Sequence, residues 1–216
     1  MATPWAEEDL ARIAWAQLDD SLLIAHPGVP PQQLKRSSDT DWTIGQWQFV
    51  EVGSPAVTSA PFARFVGSDV EMQSTATTGT VTLNTSDDVF VAEHLGGVVR
   101  MKGKQILLTN IQASTQAVAL VLQALVDTGP TADWDELAFS DARGWPATVS
   151  FHQDRMVIGG SRDLPNGLWF SKSGAYFNFE SLLGDDDEAI SFRLAADDRP
   201  AIRALMSGRH LQVFTS

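Results

Sequence analysis

A strand-rich stretch occurs twice in this chain and begins a third time. Residues 13–38 read IAWAQLDDSLLIAHPGVPPQQLKRSS, and residues 149–173 read VSFHQDRMVIGGSRDLPNGLWFSKS. With small slips between the blocks, Trp15 falls on Phe151, Gln17 on Gln153, LLIA on MVIG and LKRSS on WFSKS. Residues 201–216, AIRALMSGRHLQVFTS, start the unit again, RHLQVFTS aligning with DRMVIGGS. This repetition constrains the fold more than any other feature. A short β-unit cannot bury its apolar face alone, so copies must stack on one another, as they do in propellers and arrays.

The punctuation supports strands. Thr3, Pro4 and the acids after Trp5 predict a capped helical turn ending near Arg12. Apolar runs then follow at 13–17, 21–26, 32–37 and 42–50, separated by Asp19-Asp20, Pro27-Gly28 and Asp39-Thr40-Asp41. Four short strands in about 40 residues is the size of one propeller blade. The pattern resumes at Trp145, with strands expected at 147–152, 155–160, 167–172, 175–179, 189–195, 201–206 and 209–215. Residues 52–142 differ in texture: Ser, Thr, Ala and Val dominate and no copy of the unit appears. They predict a small antiparallel sheet or barrel, with one helical turn near Glu93-His94 and a hairpin tip at Lys102-Gly103-Lys104. Three segments are therefore expected: 1–51 (helix and first blade), 52–142 (inserted β-barrel) and 143–216 (second blade and part of a third).

Composition narrows the chemistry. The chain has 216 residues and 44% hydrophobic content, enough for a core, and its 19% charged content is ordinary for a folded protein. No apolar window reaches membrane-spanning length, and the N-terminus lacks the pattern of a secretory signal. With no cysteine, disulfides, thiolate metal sites and cysteine nucleophiles are excluded. The net charge of −12 argues against gripping a nucleic-acid backbone, which takes clustered Lys and Arg, but suits a surface past which DNA slides.

The block GWPATVSFHQDRMVIGGSRDLPNGLWFSKSGAYFNFE, with DDDEAISFRLAADDRPAIRALMSGRHLQVFTS after it, resembles a segment of the tail tubular protein B, or nozzle, family of short-tailed bacteriophages and prophages. ATPWAEEDLARIAWAQLDDSLLIAHPGVPPQQLKR is similar to that family's earlier segment. TGTVTLNTSDDVFVAEHLGGVVRM is similar to a small β-barrel inserted there, of a kind also present in ubiquitin-activating enzymes. The resemblance covers most of the chain and implies a propeller-like platform that forms a ring around the tail channel and contacts an adaptor ring. Members of that family run several times longer, so the third copy is expected to belong to a larger array.

Asp185-Asp186-Asp187-Glu188 could hold a divalent cation, but consecutive acids do not converge on one ion, and a solvated turn is expected. His26, His94, His152 and His210 show no close metal-ligand spacing. The chain contains no Gly-x-Ser-x-Gly elbow, phosphate loop or dinucleotide fingerprint. We therefore expect no catalytic, metal or cofactor site. Seven tryptophans and an arginine-rich C-terminal third suit subunit contacts, and the candidate interface residues are Trp5, Trp47, Trp145, Arg143, Arg199 and Arg203.

The expected fold is all-β, with incomplete propeller-type blades and an inserted small antiparallel β-barrel. The expected role is that of a non-enzymatic virion component of a phage tail, made in the host cytoplasm. It would partner copies of itself and the adaptor proteins, with DNA passing through unbound. A receptor- or glycan-binding module and a propeller or sandwich hydrolase are the alternatives.

Overall fold

The computed structural model describes residues 2–181, 184–195 and 200–216, and these are almost entirely β-strand and turn. The chain divides into two compact units, Met1–Val50 with Arg143–Ser216, and Glu51–Ala142. Each has its own packing and is described by itself.

The first unit opens with a 3-10 helix, Glu7–Arg12. The residue that caps it is Ala6 rather than the expected Thr3; Asp9, three residues on, accepts a hydrogen bond from the Ala6 N–H at 3.0 Å. Four antiparallel strands follow in meander order: β1 (Ala14–Leu18), β2 (Ser21–His26), β3 (Val29–Arg36) and β4 (Trp42–Gln46). The Asp19-Asp20 turn pairs Leu18 with Ser21, and Asp19 takes the left-handed conformation such a turn needs (φ 51). The pairing defines two sides. Trp15, Gln17, Leu22, Ile24, Leu34, Ile44, Arg36 and Trp42 share one; Ala16, Leu23, Gln33 and Gly45 share the other.

The second unit contains a two-stranded pair, β5 (Glu51–Val52) and β6 (Val57–Thr58), and seven further strands. These are β7 (Phe62–Ala63), β8 (Met72–Ser74), β9 (Thr80–Thr85), β10 (Val98–Met101), β11 (Lys104–Ala113), β12 (Gln116–Val121) and β13 (Trp134–Leu137). They form one sheet in the order β7-β13-β10-β11-β12-β9-β8. Period-two burial runs through it: Ala117, Ala119 and Val121 point inward from β12, and Val99 and Met101 from β10. With Met72, Leu83, Ile106, Leu108 and Trp134 they make a single core. Lys102 (φ 48) and Gly103 (φ 73) form the expected hairpin tip, both left-handed as a two-residue turn of this twist requires. The expected helical turn is Ala92–His94. No sheet of the described residues is closed. A single bridge from Met72 to Thr131 links the β8 edge to the segment leading into β13.

After Arg143 the first unit resumes with β14 (Thr148–His152), β15 (Arg155–Gly159), β16 (Gly167–Phe170) and β17 (Ile190–Arg193), again a four-stranded meander. The hairpin β18 (Ile202–Ser207) and β19 (Leu211–Thr215) completes the unit. The expected strand at 175–179 is absent. That segment is turns, and its aromatic rings are spent on packing: Phe177 meets Trp47 edge-on, and Phe179 meets Phe49 likewise.

The two meanders match, but in a different register from the expected one. The tight turn Gln153-Asp154 pairs His152 with Arg155, as Asp19-Asp20 pairs Leu18 with Ser21. Val149↔Ile158 thus corresponds to Trp15↔Ile24, and Phe151↔Met156 to Gln17↔Leu22. Trp15 is not the counterpart of Phe151. Trp15 is 61% exposed, whereas Phe151 is half-buried and meets the Tyr176 ring edge-on at 5.0 Å. The aromatic and glutamine matches misled because turn geometry, not residue identity, sets hairpin register.

The stacking follows from these sides. In the second meander one side, carrying Val157, Leu168 and Phe170, packs on Ile202, Leu205, Leu211 and Val213 of the hairpin. Its other side, with Val149, Met156, Ile158 and Trp169, is also buried. β14 lies against β1 and β2 as well as β18. In the first meander, Leu23 and Ala25 are fully buried. The three sheets thus lie in succession, with their first strands side by side.

Candidate functional site

Three clusters with catalytic or ligating chemistry are each spent on structure. His94 Nε2 donates to Glu136 Oε2 at 2.9 Å, both groups being buried. His94 Nδ1 accepts from the Val91 N–H at 3.0 Å, which assigns the single ring proton to Nε2. With both nitrogens engaged, the imidazole has no lone pair to offer a substrate.

The acidic turn is built around Arg155. This buried guanidinium donates to the carbonyls of Ser171 (2.7 Å), Asp186 (2.6 Å) and Glu188. Glu188 is buried and accepts from the Gly184 N–H at 2.8 Å, while Asp185, Asp186 and Asp187 stay exposed. Main-chain oxygens that a cation would want are thus already engaged, and the acids read as a solvated turn. Among the described residues, no group of three acids or histidines gathers around a metal-sized site.

His26 is the third. It is buried, its Nδ1 accepts from the Gly28 N–H at 3.2 Å, and Nε2 faces Asp9 at 3.5 Å. Burial lowers its pKa below the ordinary histidine value; Asp9 opposes that shift and Arg12 adds to it. Asp9 thus places the helix Glu7–Arg12 beside the end of β2.

Two surfaces of the first unit remain open. One is a groove of about 560 Å³ on the Trp15 side of the first meander, lined by Gln17, Asp20, Leu22, Leu34, Arg36 and Trp42. Trp42 is 46% exposed, and Arg36 reaches the Asp20 carboxylate at 3.6 Å. The other is a concavity of about 440 Å³ at the opposite, loop end of the sheets, where Arg12, Arg162 and Arg203 meet Gly28, Gly160 and Pro165. Arg203 is aimed there by a β-bulge between Ile202 and Ala204. Arg162 donates to Asp163 at 2.8 Å, so one of the three cations is partly neutralised.

The structure separates the six candidate interface residues. Trp47 is a core residue, 3% exposed and donating its indole N–H to the Gln32 carbonyl, so no partner reaches it. Its place at the end of a strand looked like an edge; in fact the chain turns inward there to meet Phe177. Trp5 and Trp145 are half-buried, and the Trp145 N–H donates to the Pro27 carbonyl at 3.3 Å. Arg143 faces Asp163 at 3.5 Å. Arg203 is exposed on the concavity. Arg199 lies outside the described residues.

Sequence reasoning missed the role of Arg155 as the keystone of the acidic turn, and which side of the first meander stays open around Trp42. Period-two reading of β1 and β4 carried a signal for the latter, since Trp15 stands between Ala14 and Ala16, and Trp42 and Ile44 flank Thr43; β2, with Leu22-Leu23-Ile24 in a row, carried none. Nothing local marks Arg155, whose partners are carbonyls up to 33 positions away. No helix of the described residues is long and apolar enough to cross a membrane. No family model matches the chain, and no curated protein matches it.

Proposed function

We propose that this chain is a structural component of a phage tail, a subunit of a ring that lines or seals the DNA conduit and contacts an adaptor ring. The observation that carries the reading is the apolar surface left on outer strands. Ile190 (48% exposed) and Phe192 (45%) on β17, with Met206 (49%) and Phe214 (48%) on the hairpin, need a covering partner. The stacked, blade-like sheets and the resemblance to the nozzle family support it. Its mechanism is mechanical and electrostatic: apolar and arginine contacts hold neighbours, and the −12 net charge keeps passing DNA from sticking. No catalysis and no cofactor belong to the role. The second unit serves as the inserted barrel-like module, and the bridge from Met72 to Thr131 supports that description.

Gold-labelled antibody against the chain, applied to purified particles and viewed by electron microscopy, tests the assignment. Decoration of the tail is expected, and particles that lack the chain altogether overturn it. A second reading, a glycan-binding tail module, is favoured by Trp42, which stands half-exposed over a groove lined by Gln17, Asp19 and Asp20, the pairing of a flat apolar ring with polar groups that suits a sugar face. Glycan-array binding that disappears in Trp42→Ala would select it.

A further inference from the structure

Resting on the ring-subunit reading, we propose that the Trp15–Trp42 side of the first meander is the docking face for the β18–β19 hairpin of a second copy of this chain. The chain itself shows the packing rule. Call side A of a meander the one carrying Trp15 and Ile24 in the first sheet, and Val149 and Ile158 in the second; side B is the reverse. Side B of the second meander (Val157, Leu168, Phe170) receives Leu205, Leu211 and Val213, which lie on the hairpin's side A. Leu211 and Val213 align with Met156 and Ile158 in the repeat, so the hairpin docks through the same side as its parent unit.

Side A of the second meander is buried, with β14 lying against β1 and β2. Side B on side A is therefore how successive sheets meet. Two surfaces of that kind are exposed among the described residues. Side A of the first meander keeps Trp15 61% and Trp42 46% exposed, and Leu22, Leu34 and Trp42 line the groove there. Side B of the hairpin presents Met206 (49% exposed) and Phe214 (48%), which pair with Gln212 and Ala204.

The turn ends agree in charge. Within the chain, turn ends of successive sheets meet: His152 Nδ1 lies 3.0 Å from Ser207 Oγ. The same stacking between two copies brings the exposed Arg209 of the hairpin turn to the exposed Asp19-Asp20 turn of the next first meander. Such a contact is heterologous: each copy uses a different surface for the neighbour on either side, so copies add head to tail and close as a ring when the rotation allows. Trp15 and Trp42 stand on the two outer strands of the sheet, flanking Leu22 and Leu34, and large aromatic side chains are the residue type that dominates interface energetics.

The test uses two variants of the full chain, each altered only at exposed positions. Trp15→Glu/Trp42→Glu spoils the face, and Met206→Glu/Phe214→Glu spoils the hairpin. Sedimentation velocity is expected to give concentration-dependent association for the unaltered chain, weakened at least about tenfold in either variant alone. Mixed together, the variants should form a one-to-one dimer and nothing larger, because each keeps the half that the other has lost. An unaltered chain that stays monomeric to about 100 µM, far above the range of specific interfaces, overturns the inference. So does a mixture that fails to pair, or glycan capture by the Trp42 face without any self-association. Particle labelling is independent of this outcome. A tail-borne chain whose variants do not complement each other sinks the docking face alone, and a complementing pair absent from particles sinks the tail assignment alone.

Discussion

The two units use the same material, short antiparallel strands, and cover their apolar faces by opposite means. The Glu51–Ala142 unit gathers its apolar side chains under one sheet, where Met72, Leu83, Ile106, Ala117 and Ala119 are fully buried. The other unit distributes its strands over two meanders and a hairpin, and each sheet needs the next to cover it. Its interior faces are as dry as any core, with Leu23, Met156, Ile158 and Leu168 at 0% exposure. Its open faces nevertheless carry Trp15, Met206 and Phe214 into solvent. The sheet of the second unit covers one core of its own, whereas in the first unit each sheet leans on its neighbour.

That contrast can be broken at several points. Leu108→Ala, in the dry core of the second unit, should destabilise that unit by about 2–5 kcal/mol, read as a lower midpoint in denaturant. Arg155→Met should cost about 3 kcal/mol in the first unit, because it strips charged donors from three carbonyls. Hydrogen exchange of the 184–188 amides should rise with it, and an unchanged exchange pattern would mean that Arg155 does not hold the acidic turn. Gly103→Ala, at φ 73 on an open hairpin tip, should cost about 1 kcal/mol from backbone strain alone.

A pH series should separate the units further. Burial lowers the His26 pKa from its ordinary 6.5, so the folded first unit takes up a proton less readily than the unfolded chain. Its stability is therefore whole above pH 6.5 and declines as the pH falls through that value toward the folded pKa. In His26→Gln that part of the acid slope should vanish, and a slope identical to that of the unaltered chain would reject the assignment. The smallest effect is expected at Trp15→Ala. With a side chain so exposed, the monomer should change by no more than about 0.5 kcal/mol. A loss comparable with that of Leu108→Ala would mean that the open face is in fact covered.

Much of the architecture was legible in the chain. Alternation and turn residues placed β2, β14, β15 and β19 within a residue or two of their observed bounds. Lys102-Gly103 announced its hairpin because few residue pairs accept two left-handed conformations in succession. The register of the repeat was not legible. Trp15 and Phe151 looked equivalent as aromatic residues before a glutamine, yet the Asp19-Asp20 and Gln153-Asp154 turns dictate a different pairing. The segment 175–179 reads as a strand by composition, but its rings serve Trp47 and Phe49, which are distant in sequence. Trp47 misled for the same reason, since nothing next to it in the chain reveals Phe177.

For the candidate site, local sequence indicated that the acidic run was a turn and that the histidines lacked metal spacing. It could not indicate that Arg155 holds that turn, nor that His94 is tied at both nitrogens. The amino-acid sequence by itself determined the strand content, the repetition, the acidic surface and the absence of cysteine chemistry, because these rest on neighbouring residues and on counting. Which face of each sheet is covered, and therefore which one is left for a partner, was decided only when distant segments packed. Burial is a property of pairs of surfaces, and one surface read alone does not name its mate.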